Sequence, residues 1–122
     1  MKIGVFIPQG WRMDLNGIPL ESQWKTIINS AQNIENLNFE SIWVYDHFHT
    51  VPQPTQDPTY ECWTLMSALS QTTTKVRLGQ MCTCNSYRNP AYLTKVASNI
   101  DVMSAGRLEY AIGAGWYDHE YK

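Results

Sequence analysis

Four short apolar runs divide the chain at near-regular intervals: Ile3-Gly4-Val5-Phe6-Ile7, Ser41-Ile42-Trp43-Val44-Tyr45, Val76 to Thr83, and Arg107 to Ile112. Their starts lie roughly 30–40 residues apart, enough for one strand, one helix and two loops. The first two runs are nearly continuous in hydrophobicity, as strands covered on both faces are. Helical patterns fill the gaps. Trp24, Ile27, Ile28, Ala31 and Ile34 form one apolar stripe in the first. In the second, Asp57-Pro58 is a helix-start signal, because Asp caps free N–H groups and Pro suits the first turn; Cys62, Met66 and Leu69 then recur at helical spacing. Asn89-Pro90 repeats the signal in the third, where Leu93, Val96, Ala97, Ile100 and Met103 make the stripe and Gly106 ends it. The order β-α-β-α-β-α-β predicts an α/β fold on a parallel sheet with right-handed crossovers. It has strands near 3–7, 41–45, 76–83 and 107–112, within a single domain over 1–122.

Composition narrows the function classes. With 9 basic and 11 acidic side chains the net charge is −2, which excludes a strongly cationic binder of nucleic acid or membrane surfaces. The three cysteines, Cys62, Cys82 and Cys84, are too few and too oddly placed for a secreted disulfide framework. No apolar run reaches membrane-spanning length, and the N-terminus lacks a signal-peptide pattern. A reduced, cytoplasmic protein that handles a small molecule is the expectation. The 5 Trp, 7 Tyr and 3 Phe suit either an interface or a pocket for a flat ligand.

In parallel α/β folds the loops after the strands carry the chemistry. Asp46-His47-Phe48-His49 follows the second strand directly. A histidine there can exchange protons near neutral pH or hydrogen-bond a ligand edge, while Asp46 either holds its tautomer or caps a turn. Nothing in the chain shows a recognisable zinc-ligand spacing. Gly113-Ala114-Gly115-Trp116 follows the fourth strand, where glycines allow backbone to approach a ligand and Trp116 can stack on one. A dinucleotide fingerprint needs a further glycine where Asp118 stands, which weakens the reading as a doubly wound nucleotide-binding sheet. At the end of the third strand, Cys82 and Cys84 share one face by alternation and read as small buried fillers, with Thr83 on the other. Asn85 and Arg88 lie in the next loop; Arg88 holds an anion or pairs with an acidic neighbour at the surface. Asp101 and Arg107 flank a turn as a structural ion pair or clamp.

These segments together resemble the bacterial-luciferase-like family of flavin and deazaflavin oxidoreductases. The resemblance is carried by Phe39 to Phe48, by Val76-Arg77-Leu78-Gly79, by Tyr87-Arg88-Asn89-Pro90-Ala91, and by Ser104-Ala105-Gly106-Arg107-Leu108 running into Gly113-Ala114-Gly115-Trp116. It implies a (βα)8 barrel, oxygenase or hydride-transfer chemistry, and FMN or the deazaflavin coenzyme (factor 420) lying across the C-terminal ends of the strands. Asp46 and His47 then belong to the active-site wall as catalytic residues. Met81, Cys82, Thr83 and Asn85, with Gly113, Ala114, Gly115 and Trp116, bind the cofactor. Some relatives carry a non-proline cis peptide, for which Met81–Cys82 is the matching position. A sugar-phosphate dehydrogenase branch has an acid in place of Trp116, so its pattern is absent. Asn38, Ala105 and Ala111 stand where relatives have glycine, and Asn tolerates positive φ best of these.

Such barrels run to about 250 residues. Four βα units are half a barrel, with two open strand edges and an uncovered inner face. The expectation is a homo-oligomer, or completion by a C-terminal half. The alternative to an oxidoreductase is a non-catalytic remnant or self-associating scaffold.

Overall fold

A computed structural model describes all residues from Met1 to Lys122. Its main sheet has four parallel strands in the order β1-β2-β3-β5: β1 is Gly4–Phe6, β2 Ser41–Val44, β3 Arg77–Gln80 and β5 Leu108–Glu109. Gly4 pairs with Ser41, Ser41 with Arg77, and Leu78 with Leu108. Helices α1 (Leu20–Asn36), α2 (Cys62–Thr72) and α3 (Pro90–Met103) make the successive connections. The sequence-order strand neighbours and intervening helices follow the expected alternation.

Two strand expectations need correction. The run Val76–Thr83 does not stay one strand. It breaks after Gln80, and Thr83–Cys84 forms β4, which pairs in parallel with β6 (Ile112–Gly113) as a separate two-stranded ladder. The run 107–112 divides in the same way, between β5 and β6. The first break falls at Met81–Cys82, whose peptide bond is cis. No continuous pleat therefore runs through the cysteines: Cys82 is exposed, while Thr83 and Cys84 are both buried.

The helix ends follow from capping chemistry. Asn89 Oδ1 accepts from Ala91 N and Tyr92 N at 3.0 and 3.3 Å, with Pro90 in the first turn, as its sequence signal suggests. Asp57-Pro58 starts no helix. Asp57 instead accepts from the Thr55 hydroxyl, and Glu61 caps α2 by accepting from Trp63 N and Thr64 N at 3.1 and 2.7 Å. In α1 the buried face is Gln23, Ile27 and Ala31, and Trp24 stays 37% exposed. Gln23 enters that face because its amide donates to the Ile18 carbonyl. Asn38 and Ala105 adopt positive φ, 60° and 59°, where the family pattern has glycine.

The core lies between sheet and helices. Ile42, Val44 and Leu78 meet Ile27, Ala31, Met66, Leu69, Leu93 and Ile100, nearly all fully buried. Each large apolar side chain removed from water contributes roughly 1.5–3 kcal/mol. Arg107 closes the lower edge, donating to the carbonyls of Ser70, Thr73, Ser104 and Val76 and to the Thr73 hydroxyl. It does not pair with Asp101, whose carboxylate accepts from Leu108 N instead. The opposite face of the sheet is built around one ring. Trp43 lies over Gly4 and Gly79, so a Cβ at Gly79 would sit 2.5 Å from its six-membered ring. Its indole N–H donates to Ser41 Oγ at 2.8 Å. Phe6 and Tyr45 stack beside it, centroids 4.3 Å apart.

Candidate active site at the strand ends

The segments that follow β2, β3 and β6 converge at the C-terminal end of the sheet. They enclose a cleft of about 360 Å³ lined by Asp46, His47, Met81, Cys82, Cys84, Tyr87, Gly113, Ala114, Gly115 and Trp116. Of the site residues expected from sequence, Thr83 and Asn85 lie outside it. Thr83 is turned inward and fully buried, and Asn85 sits in the turn after β4, tied by its backbone N–H to the Gly113 carbonyl at 3.0 Å. Cys84 and Tyr87 line the cleft in their place.

Asp46 forms the floor. Both its oxygens accept from Arg88 at 2.7 Å, and Oδ2 also accepts from Cys84 N at 2.8 Å. Its side chain is 0% exposed, so it fixes the β4 turn from beneath and does not reach His47 Nδ1. Arg88 is no surface residue: its guanidinium also meets Glu61 at 2.5 Å. Burial works against its charge, but the Asp46 and Glu61 carboxylates more than offset this and hold its pKa above the usual arginine value. The neighbouring Cys62 thiol is pushed well up, first by burial and then by the charges of Asp46 and Glu61.

His47 is held from two directions. Trp11 stacks flat against it, centroids 4.4 Å apart and planes within 2°. Its Nδ1 lies 2.8 Å from Glu120 Oε2. Glu120 comes from a short 3-10 turn, Asp118–Tyr121, and is fully engaged. Oε1 accepts from Phe48 N and His49 N at 2.6 and 3.0 Å, and Oε2 also accepts from the Tyr87 hydroxyl at 2.5 Å. Burial alone would raise the Glu120 pKa; the donors Tyr87, His47, Phe48 N and His49 N reverse this and hold it below the ordinary carboxylate value. The Tyr87 hydroxyl is pushed up by burial and by donating to Glu120.

The opposite wall is open and apolar. Trp116 is 67% exposed and lies roughly perpendicular to the His47 ring, with centroids 5.8 Å apart. Met81 is 47% exposed. Gly115 has φ +81°, and a Cβ there would collide with the Tyr121 hydroxyl and Cys84 Sγ. A side chain at 115 would thus have to displace Tyr121 and Cys84 and adopt a φ that favours glycine. Sequence reasoning missed Trp11, Tyr87 and Glu120. No local pattern marks Trp11 or Glu120, and the Tyr87-Arg88-Asn89-Pro90-Ala91 stretch gives Tyr87 no role, since each reaches the site through a long-range contact. A larger groove of about 520 Å³ lies between α2 and α3, but its charged groups, Glu61 and Arg88, are already paired with each other.

Comparison with known proteins places this arrangement. The family model described as luciferase-like monooxygenase matches residues 1–122. This chain belongs to that family. Among curated family relatives, pyrimidine monooxygenase RutA of Serratia proteamaculans is 28% identical over 100% of the chain and 34% of its own length. RutA of Rhizobium rhizogenes is 29% identical over 99% and 34%. The chain thus spans about a third of the length of the curated relatives it matches. Among solved structures, the oxygenating constituent of 3,6-diketocamphane monooxygenase from Pseudomonas putida, in complex with FMN, superposes with TM-score 0.77 at 19% identity, covering 98% of this chain and 31% of that one. An F420-dependent secondary alcohol dehydrogenase in complex with an F420–acetone adduct gives TM-score 0.73 at 30% identity, covering 93% and 32%. The α/β architecture with parallel strands is therefore the architecture of the family's TIM barrels. No helix is long and apolar enough to cross a membrane.

Proposed function

We propose that this chain supplies the ring-binding wall of a flavin- or deazaflavin-dependent oxidoreductase, its four strand units forming half of a (βα)8 barrel. The observation that carries this reading is the cleft itself. An exposed indole, a thioether and the small-residue loop Gly113-Ala114-Gly115 face a histidine with one ring nitrogen unengaged. A flat heteroaromatic ring fits such walls. At about 360 Å³ the cleft sits at the low end for ligand pockets, enough for a ring system and little more. No Lys or Arg lines it, so a phosphate tail would take its contacts elsewhere. A bound flavin or deazaflavin would supply two-electron redox chemistry there. Met81, Cys82 and the Gly113–Trp116 loop would hold the ring, and His47 would exchange a proton with the ring or substrate. The three free cysteines are consistent with a reduced compartment such as the cytoplasm.

Equilibrium dialysis against FMN, the deazaflavin coenzyme and lumichrome, a flavin ring without its tail, tests this. Binding of the ring below millimolar concentration is expected, with about a tenfold loss in Trp116→Ala, or roughly 1.4 kcal/mol. If none of the three binds at millimolar concentration, the reading is wrong.

A further inference from the structure

Glu120 has four donors on two oxygens. A carboxylate offers about four lone-pair sites, so Glu120 is saturated as an acceptor. An ionised carboxylate cannot donate, and the proton in the His47–Glu120 contact must therefore sit on Nδ1. His47 Nε2 makes no hydrogen bond within the chain and is not among the buried unpartnered atoms, so it keeps access to solvent in the cleft.

We propose that Glu120 is a positioning residue that locks His47 in the Nδ1–H tautomer, with Nε2 left facing the cleft as a proton acceptor. Its role is to prevent Nε2 from carrying the proton in the neutral ring. When a ligand acid in the cleft gives up a proton, the proton goes to Nε2, the electron pair stays on the ligand atom, and the imidazolium formed rests against the Glu120 carboxylate. Trp11 fixes the ring plane and Tyr87 fixes the carboxylate, so the geometry leaves one orientation for Nε2. The tautomer assignment stands on this chain's contacts alone; its use in turnover rests on the function proposed above.

The isosteric variant Glu120→Gln makes the idea testable. Phe48 N and His49 N are fixed donors, so the Gln carbonyl must turn toward them and its NH2 must face His47 and Tyr87. A hydroxyl can rotate and a neutral imidazole can change tautomer, but a backbone N–H can do neither. Ring-nitrogen NMR of 15N-histidine-labelled protein, assigned by loss of signal in His47→Gln, reads the result directly. The wild type is expected as Nδ1–H and E120Q as Nε2–H. Tyr87→Phe keeps the carboxylate and is expected to remain Nδ1–H. A wild type found as Nε2–H, an E120Q that stays Nδ1–H, or a switch in Tyr87→Phe overturns the proposal. None of these measurements needs bound cofactor, so failure of ring binding would sink the proposed function without touching this result. Conversely, lumichrome binding within about threefold of wild type in E120Q, together with the tautomer switch, separates positioning of His47 from shaping of the pocket.

Discussion

Substituting Arg88 by Met tests how the cleft floor is held. Asp46 is 0% exposed and Arg88 11%, and two bonds of 2.7 Å join them. Methionine fills much of the same space but leaves the carboxylate with Cys84 N as its one remaining donor. Breaking a buried pair by removing one partner costs about 3–5 kcal/mol, because an uncompensated charge stays behind. The Glu61 end adds little, since that carboxylate is 35% exposed and its attraction is screened. Against a total stability of about 5–15 kcal/mol, the loss is a large share. Urea unfolding at neutral pH, followed by tryptophan fluorescence, should show the midpoint falling by on the order of 2 M for a slope near 2 kcal/mol/M. The double variant Arg88→Met/Asp46→Leu should recover part of the loss, because no unpaired charge remains at 46 although Cys84 N loses its acceptor. If Arg88→Met costs under about 1 kcal/mol, Asp46 is not the sealed anion described here and the account of the floor fails.

Two further outcomes follow from the same contacts. Glu35 accepts from Thr74 N, Lys75 N and Val76 N, and although burial pushes its pKa up, these bonds hold it below the ordinary value of about 4.5. A carboxylate depressed by folding adds stability above its unfolded pKa and loses it as pH falls through the folded one. Thermal stability should therefore fall below about pH 4.5, and less steeply in Glu35→Gln. We also expect the chain to self-associate through the Trp43 face and the free edges of β1 and β5, where Ile3, Phe6, Tyr110 and Ile112 are 42–58% exposed. Sedimentation velocity at micromolar concentration that shows one-chain mass alone would refute this.

Most of the architecture was readable because it is local. Strand hydrophobicity, the α1 and α3 stripes and the Asn89-Pro90 start signal depend on near neighbours. The Asp57-Pro58 signal misled for a reason equally local: Thr55 occupies the Asp57 carboxylate, and Glu61 offers a cap where the chain enters the helix. Breaks in the third and fourth strands were invisible, since run length in an apolar segment says nothing of where pairing stops. The family pattern pointed to the cleft loops, and the structure brings most of them together. It could not supply the wiring beneath them. From sequence Asp46 either holds the His47 tautomer or caps a turn, and adjacency alone does not decide between them. Adjacent side chains on extended backbone point apart, however, and so Asp46 turns down to Arg88 while His47 meets Glu120.

The Trp43 ring has a consequence for how this sheet can change. It occupies room left by two absent side chains on the flanking strands, at Gly4 and Gly79. These three positions, on three successive strands of the sheet, therefore form one steric unit. A larger residue at either glycine is tolerable only after the indole has shrunk, and a smaller residue at 43 leaves a hollow that both glycines are unable to fill. Substitutions here should be strongly non-additive. Drift at this spot is thus a matter of permitted orders of change, with the aromatic ring as the gatekeeper.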